Sequence, residues 1–421
     1  IPDGTDLVAF ESIERSGVEI ASHADINDES QTVTVHKSDI GTTASDGLDG
    51  DKKVIADAET TITDSIAYNN VLSDTGYTMA GILMDKETGL PILTGDDSNQ
   101  FTQDDVKSFM DKLSDITGVN SKERTPVDLD TLRTFLKDNA DLVSHLVFQC
   151  AEFTPDNASG TVSMDFDFDS NAVIDRLNGE TKDVVVFEVL FKGSLDDETT
   201  EAPVVVATEQ DLDNKDQTVT LIPSTIGTTA TDASDGDHEL MAGKDAVITD
   251  TVSYEGLIPG KEYTLKATLY DKATGEPLSV NDKHVTAELR FTPNSESGSI
   301  DIDLGPFDAT ALNGHDLVVY EELYKQSSID GKSTDILVAQ HKDLNDKDQT
   351  VTVTSTPKGG FYGKTGGNDA GFQLAIVLLI AAAVGLGLYG LKCRRAAKQE
   401  EADSDSAKNE DSGSEDGTSE S

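Results

Sequence analysis

His341-Lys342-Asp343-Leu344-Asn345-Asp346-Lys347-Asp348-Gln349-Thr350-Val351 is the last of three copies of one phrase. The first is His23-Ala24-Asp25-Ile26-Asn27-Asp28-Glu29-Ser30-Gln31-Thr32-Val33. The middle one, Glu209-Gln210-Asp211-Leu212-Asp213-Asn214-Lys215-Asp216-Gln217-Thr218-Val219, keeps the frame but replaces the His. Self-similarity of this kind marks a tandem-repeat protein. Each Gln opens a run, QTVTV, QTVTL and QTVTV, that alternates polar with β-branched or apolar residues, the period of a half-buried strand. An inward-facing Gln costs free energy unless its amide is satisfied, so its recurrence at a strand start needs a reason.

Outward from the phrase, two units run in parallel. Ile40-Gly41-Thr42-Thr43-Ala44-Ser45-Asp46 matches Ile226-Gly227-Thr228-Thr229-Ala230-Thr231-Asp232, and Ile62-Thr63-Asp64-Ser65-Ile66-Ala67-Tyr68 matches Ile248-Thr249-Asp250-Thr251-Val252-Ser253-Tyr254. Thr42 to Asp64 and Thr228 to Asp250 are both 22 residues. The units span about 36–222 and 223–354, behind residues 1–35, which read as the last strands of a preceding repeat. Asp64 to Gln217 is 153 residues against 99 from Asp250 to Gln349, so the first unit carries about 54 extra residues, at about 94–146. Within them Val106, Phe109, Met110, Leu113 and Ile116 recur at helical spacing behind a Thr102 cap, as do Leu129, Leu132, Phe135 and Leu136, which predicts a two-helix insertion.

The 421 residues carry a net charge of -48, which repels phosphate and excludes a nucleic-acid binder. Absence of Trp and Val/Ile/Thr-rich segments between Asp, Gly and Asn turns predict an all-β chain of tandem sandwich repeats. Cys150 and Cys393 lie on opposite sides of a predicted span, so no disulfide between them is expected, and Cys150 reads as a buried packing residue. The start at Ile1 without leader features reads as a fragment or processed piece.

Thr228, Asp250, Glu321, His341 and Gln349 form a reactive set if the first and last strands are neighbours. Alternation turns Thr228 inward with Ile226 and Ala230, so facing favours it over Thr229. A Thr hydroxyl needs a base, for which His341 is available, and the Gln349 carbonyl is the electrophile. Ammonia leaves with a proton from buried Glu321 or Asp250, and the product is a Thr-Gln ester. The first unit repeats Thr42, Asp64, Glu188 and Gln217, with Glu209 in place of the imidazole, and its cross-link is left open. No cofactor or metal is expected: Asp343, Asn345 and Asp348 lack the glycine and terminal Glu of an EF-hand and read as a solvated turn.

On these residues the sequence resembles the VaFE-repeat, Thr-Gln ester-bond domains of Gram-positive surface proteins. The signature phrase is Val8-Ala9-Phe10-Glu11, Val185-Val186-Phe187-Glu188 and Val318-Val319-Tyr320-Glu321. The resemblance implies Ig-like sandwiches whose first and last strands are joined by a self-formed ester, in a non-enzymatic stalk or adhesin subunit. The rival expectations are a ligand-binding module acting through the helical insertion and an enzyme, the latter disfavoured because each reactive set consumes itself once.

Beyond a Gly-rich linker at 355–371, residues 372–391 form an apolar run of membrane-spanning length, followed by Lys392, Arg394, Arg395 and Lys398. Positive charge on that side predicts an extracellular β region and a cytoplasmic C-terminus, 392–421, ending in an acidic tail. The block resembles a sortase sorting signal, with Tyr362-Gly363-Lys364-Thr365-Gly366 where Leu-Pro-x-Thr-Gly would stand. This implies sortase and cell-wall peptidoglycan as partners, at the cell surface; a permanent single-pass anchor is the alternative. The host or matrix ligand is not legible.

Overall fold

The Thr60–Asn69 strand shows why these segments become sheets: Ile62, Asp64, Ile66 and Tyr68 face the core while Ser65 and Ala67 face solvent. The computed structural model describes residues 1–95, 98–121, 124–195, 202–329 and 332–355. The expected sorting motif at 362–366, the span at 372–391 and the tail lie outside the described residues. Among the described residues no helix is long and apolar enough to cross a membrane.

The protein is mainly β, with two domain-like units of paired sheets. In the first, a three-stranded antiparallel sheet is ordered Gly160–Phe168, Thr60–Asn69, Asp39–Asp46. It packs on a seven-stranded sheet whose main path is Phe148–Phe153, Tyr77–Asp85, Lys182–Lys192, Thr218–Ile222, Lys53–Ile55. The second repeats this with Thr225–Asp232, Ala246–Glu255 and Gly298–Phe307 facing a sheet built on Tyr263–Asp271, Asp316–Ile329, Thr350–Thr354 and the parallel-paired Glu239–Met241. Each core is apolar, with Ile62, Leu83, Phe166 and Leu190 in the first and Ile248, Leu265, Leu304 and Leu323 in the second. On the solvent face, Thr61 and Thr63 donate to Asp167 and Asp165 at 2.6 and 2.7 Å, and Thr249 and Thr251 donate to Asp303 and Asp301 at the same distances. These cross-strand pairs tie down part of the acidic surface.

Residues 1–35 form a Thr5–Val8/Thr32–Val35 pair and a Glu11–Arg15/Val18–His23 hairpin. Leu7, Ile13 and Val33 are exposed there, unlike their buried counterparts in the complete units.

The insertion is helical, with three helices rather than two: Gln103–Thr117, Leu129–Asp138 and a short Ala140–Val143. Thr102 and Asp105 make a reciprocal capping box at the first, and Gly118 at φ 66° ends it. Phe109 stacks on Phe135 at 5.1 Å, and Leu132 packs with Val127 and Phe191 on the outer face of the larger sheet. A further helix, Ser170–Arg176, capped by Asp169, lies outside the segments that show helical periodicity. Cys150 corrects the expectation of burial: it is exposed, on a strand that pairs, among the described residues, only with Tyr77–Asp85 and has one open edge.

Candidate functional site

The Thr strand and the Gln strand of each unit belong to different sheets. They meet at the seam, where Ala230 N donates to Asp348 O at 2.9 Å, and Ala44 N to Asp216 O at 2.9 Å. Those backbone bonds hold the residues that matter one or two positions away. Thr228 is half-buried and Thr229 exposed, and Thr42 is buried while Thr43 is exposed, as alternation requires.

In the second unit the Gln349 amide nitrogen donates to Thr228 Oγ1 and to Glu321 Oε2. The Thr228 hydroxyl in turn donates to the same Glu321 oxygen at 3.3 Å. In the first unit the Gln217 amide nitrogen donates to Thr42 Oγ1 and Glu188 Oε2. Asp250, Glu321 and Gln349, like Asp64, Glu188 and Gln217, have no solvent exposure.

Each Glu pairs with its Asp. Burial, followed by the nearby Asp250 charge, pushes the Glu321 carboxyl well above the ordinary range. Burial also raises Asp250, opposed by a hydrogen bond from Glu321 and by the charge of His341. Glu188 is raised by burial and then by Asp64, and Asp64 by burial against a hydrogen bond from Glu188 and the charge of Lys52. Two buried carboxylates in contact cannot both ionise, so the Glu keeps a proton and donates it to the Asp. That proton answers for two of the three buried oxygens that otherwise have no partner in each pair, Oε1 of the Glu and one oxygen of the Asp.

His341 stands opposite Glu321 in the strand ladder, with Nε2 3.0 Å from Asp346 Oδ2. The group touching the Thr228 hydroxyl is Glu321. Glu209 holds the same register opposite Glu188, so the first unit has an acid where the second has an imidazole. In residues 1–35, Glu11 faces His23, His23 Nε2 lies 2.6 Å from Asp28, and Gln31 is half-buried nearby in sequence.

One participant carries no signal in the sequence. Lys52 Nζ donates to the carbonyls of Ala44 and Asp216, and no repeated motif marks it. The turn at Asp343 to Asp348 spends its side chains on its own backbone, Asp343 accepting from Asn345 N at 2.9 Å and Asp346 from Asp348 N at 2.8 Å. Among the described residues, Asp46, Asp49 and Asp51 bring carboxylate oxygens within 4.8 Å of one another, but Lys261 lies 2.6 and 2.9 Å from Asp49 and Asp51 and offsets part of their charge.

A hydroxyl, a primary amide and a carboxylic acid in mutual contact, away from water, are the ingredients of one acyl transfer. Among solved structures, a bacterial adhesin from Mobiluncus mulieris containing intramolecular disulfide, isopeptide and ester bond cross-links is 13% identical, with TM-score 0.27, over 75% of this chain and 96% of that one. The same adhesin in a second crystal form is 11% identical, with TM-score 0.27, over 75% and 97%. Red sea bream transglutaminase is 9% identical, with TM-score 0.20, over 75% and 31%. No curated protein matches. Residues 2–35, 38–221 and 224–353 match the family described as T-Q ester bond containing domain, and together they cover most of the sequence. The chain therefore belongs to the T-Q ester bond containing domain family.

Proposed function

We propose that the chain is part of a cell-surface adhesin or stalk of a Gram-positive bacterium, built of Ig-like sandwiches each sealed by an internal Thr-Gln ester. The observation that carries the reading is the duplicate set, buried but for half-buried Thr228, of Thr228/Gln349/Glu321/Asp250 and Thr42/Gln217/Glu188/Asp64. The Ig-like assignment draws support from a repeated corner: Tyr77 Oη accepts from Leu72 N at 2.9 Å and Tyr263 Oη from Ile258 N at 3.0 Å.

The chemistry is balanced within the site. Thr228 Oγ1 attacks Cδ of Gln349, and its proton passes to Glu321. The acid returns a proton to the amide nitrogen, the C–N bond breaks, and ammonia leaves. His341 supplies positive charge that favours the ionised Asp250, and so keeps the proton on Glu321. The set is consumed in one event, so the activity is self-modification rather than turnover.

Sortase attachment to peptidoglycan through Thr365, with residues 372–391 in the membrane beforehand, completes the proposal. Intact mass of the full chain tests the core of it. Loss of two ammonia molecules is expected, falling to one in Thr228→Ala; an unshifted parent mass refutes the ester reading. A ligand-binding reading has one observation in its favour, a cleft of about 1090 Å³ between the insertion and the sheet, walled by Phe109, Met110, Leu113, Leu136 and Phe148. Deleting 94–146 without loss of host-ligand binding would exclude it.

A further inference from the structure

The two reactive sets differ in three places at once. Where the second has the ion pair His341 and Asp346, the first has Glu209 and Asn214. Where the second has His238, the first has Lys52. That last equivalence is set by the backbone: Thr220 N donates to Lys52 O at 2.8 Å, and Thr352 N donates to His238 O at 2.8 Å, in the same parallel pairing.

Lys52 is not a solvated surface lysine. Its Nζ donates to the carbonyl of Ala44, two residues beyond Thr42 on the same strand face, and to the carbonyl of Asp216, the residue before Gln217. One ammonium thus grips both backbones that carry the reacting groups, next to the Ala44 N to Asp216 O bond. Its charge also bears on Asp64, as that of His341 bears on Asp250. A second acid, Glu209, faces Glu188 here, and its charge also holds the proton on Glu188.

We propose that Lys52 is a positioning residue for the Thr42–Gln217 cross-link, clamping the nucleophile strand to the electrophile strand and providing the positive charge that His341 provides in the second unit. The geometry separates two jobs. The clamp fixes the approach of Thr42 Oγ1 to Gln217, where a displacement of about 1 Å costs on the order of a hundredfold in rate. The charge favours ionised Asp64 and hence the proton on Glu188, the acid that the leaving ammonia requires. Lys52 itself neither touches the amide nor exchanges a proton with it.

This rests on the ester reading above, and the experiment distinguishes the two. The full chain is produced so that cross-linking can be followed in time, and digests are scored separately for Thr42–Gln217 and Thr228–Gln349 linked peptides. The second site is an internal control for folding. In Lys52→Met the Thr42–Gln217 link is expected to form roughly 10- to 100-fold more slowly, with Thr228–Gln349 unchanged. Lys52→Arg should recover most of the rate, and Lys52→Met combined with Glu209→His and Asn214→Asp should recover the part lost with the charge, which then comes from the strand beside Glu188, but not the part lost with the clamp. A purely structural lysine would not be replaced from another strand. A Lys52→Met chain that links Thr42 to Gln217 at the parent rate overturns the proposal, as does a slow variant whose rate the His–Asp pair leaves unchanged. If the parent links only Thr228 to Gln349, the first unit is inert and Lys52 has no such role. If it links neither, the ester reading itself falls.

Discussion

Lys325 Nζ lies 2.6 Å from Asp57 Oδ2, an ion pair between side chains only 12% and 1% exposed that joins the two β units. Lys325 also donates to the Ile55 carbonyl at 3.1 Å, and Ile55 and Ile222 pack into the core of the second unit. The exposed pairs at the same seam, Lys53–Glu296 and Lys261–Asp49, are each worth less than about 1 kcal/mol.

Removing one partner of the buried pair is another matter. Lys325→Ala leaves Asp57 buried and uncompensated except for donors from Glu59 N and Thr60 Oγ1, at a cost of about 3 kcal/mol. The expected result in denaturant is one transition for the two units of the parent and separate transitions for those of the variant. A single unshifted transition would show that the pair does not couple them.

Thr228→Ala should lower the stability of the second unit by roughly 4–5 kcal/mol, by analogy with a disulfide closing a loop of 121 residues. Thr229→Ala, at an exposed position on the same strand, should keep both the ammonia loss and the melting temperature. Equal effects from the two would remove Thr228 as the nucleophile. Calorimetry and intact mass on the same samples decide it.

The buried carboxyl pairs give the uncross-linked protein an unusual pH response. Glu321 and Asp250 are raised in the folded state, by burial first, so their contribution is fully present below the ordinary carboxyl pKa and is lost as pH rises toward the folded values. Thr228→Ala is therefore expected to be less stable at pH 9 than at pH 5, by at least about 1.4 kcal/mol, the free energy of a tenfold change in proton affinity. Adding Glu321→Gln should flatten the slope. Urea titrations at both pH values would show no such loss if the carboxyls were ionised in the fold.

Cys150 lies in the wall of the cleft beside the insertion and is exposed. In a Cys393→Ser chain, a maleimide should modify Cys150 under native conditions, and a bulky adduct should reduce binding of an apolar dye to the cleft at least about twofold, since it fills apolar volume. Modification only after denaturation would contradict the exposed placement.

Thr228, Asp250, Glu321 and Gln349 are legible in the sequence because each repeats at fixed spacing on a strand with clear alternation. Period two alone turns Thr228 inward and Thr229 outward. What alternation does not carry is which sheet a strand joins: nothing in Thr225–Asp232 or Thr350–Thr354 says that they lie in opposite sheets and meet at a seam. Lys52 is invisible because its role depends on carbonyls 8 and 164 residues away. Ser170–Arg176 is too short for helical periodicity to register. The exposure of Cys150 is equally hidden, because an open strand edge is a property of the sheet rather than of the strand.

The helical insertion hangs between Leu93 and Val147, well inside the span from Thr42 to Gln217. Once the ester closes, that span is a covalent ring. A protease that cuts a loop of the insertion opens the ring without parting the chain, since the ester still connects what lies before Thr42 to what lies after Gln217. The same closure leaves the inserted segment free to lengthen, shorten or change sequence over evolutionary time without breaking the continuity of the polymer on which it is displayed.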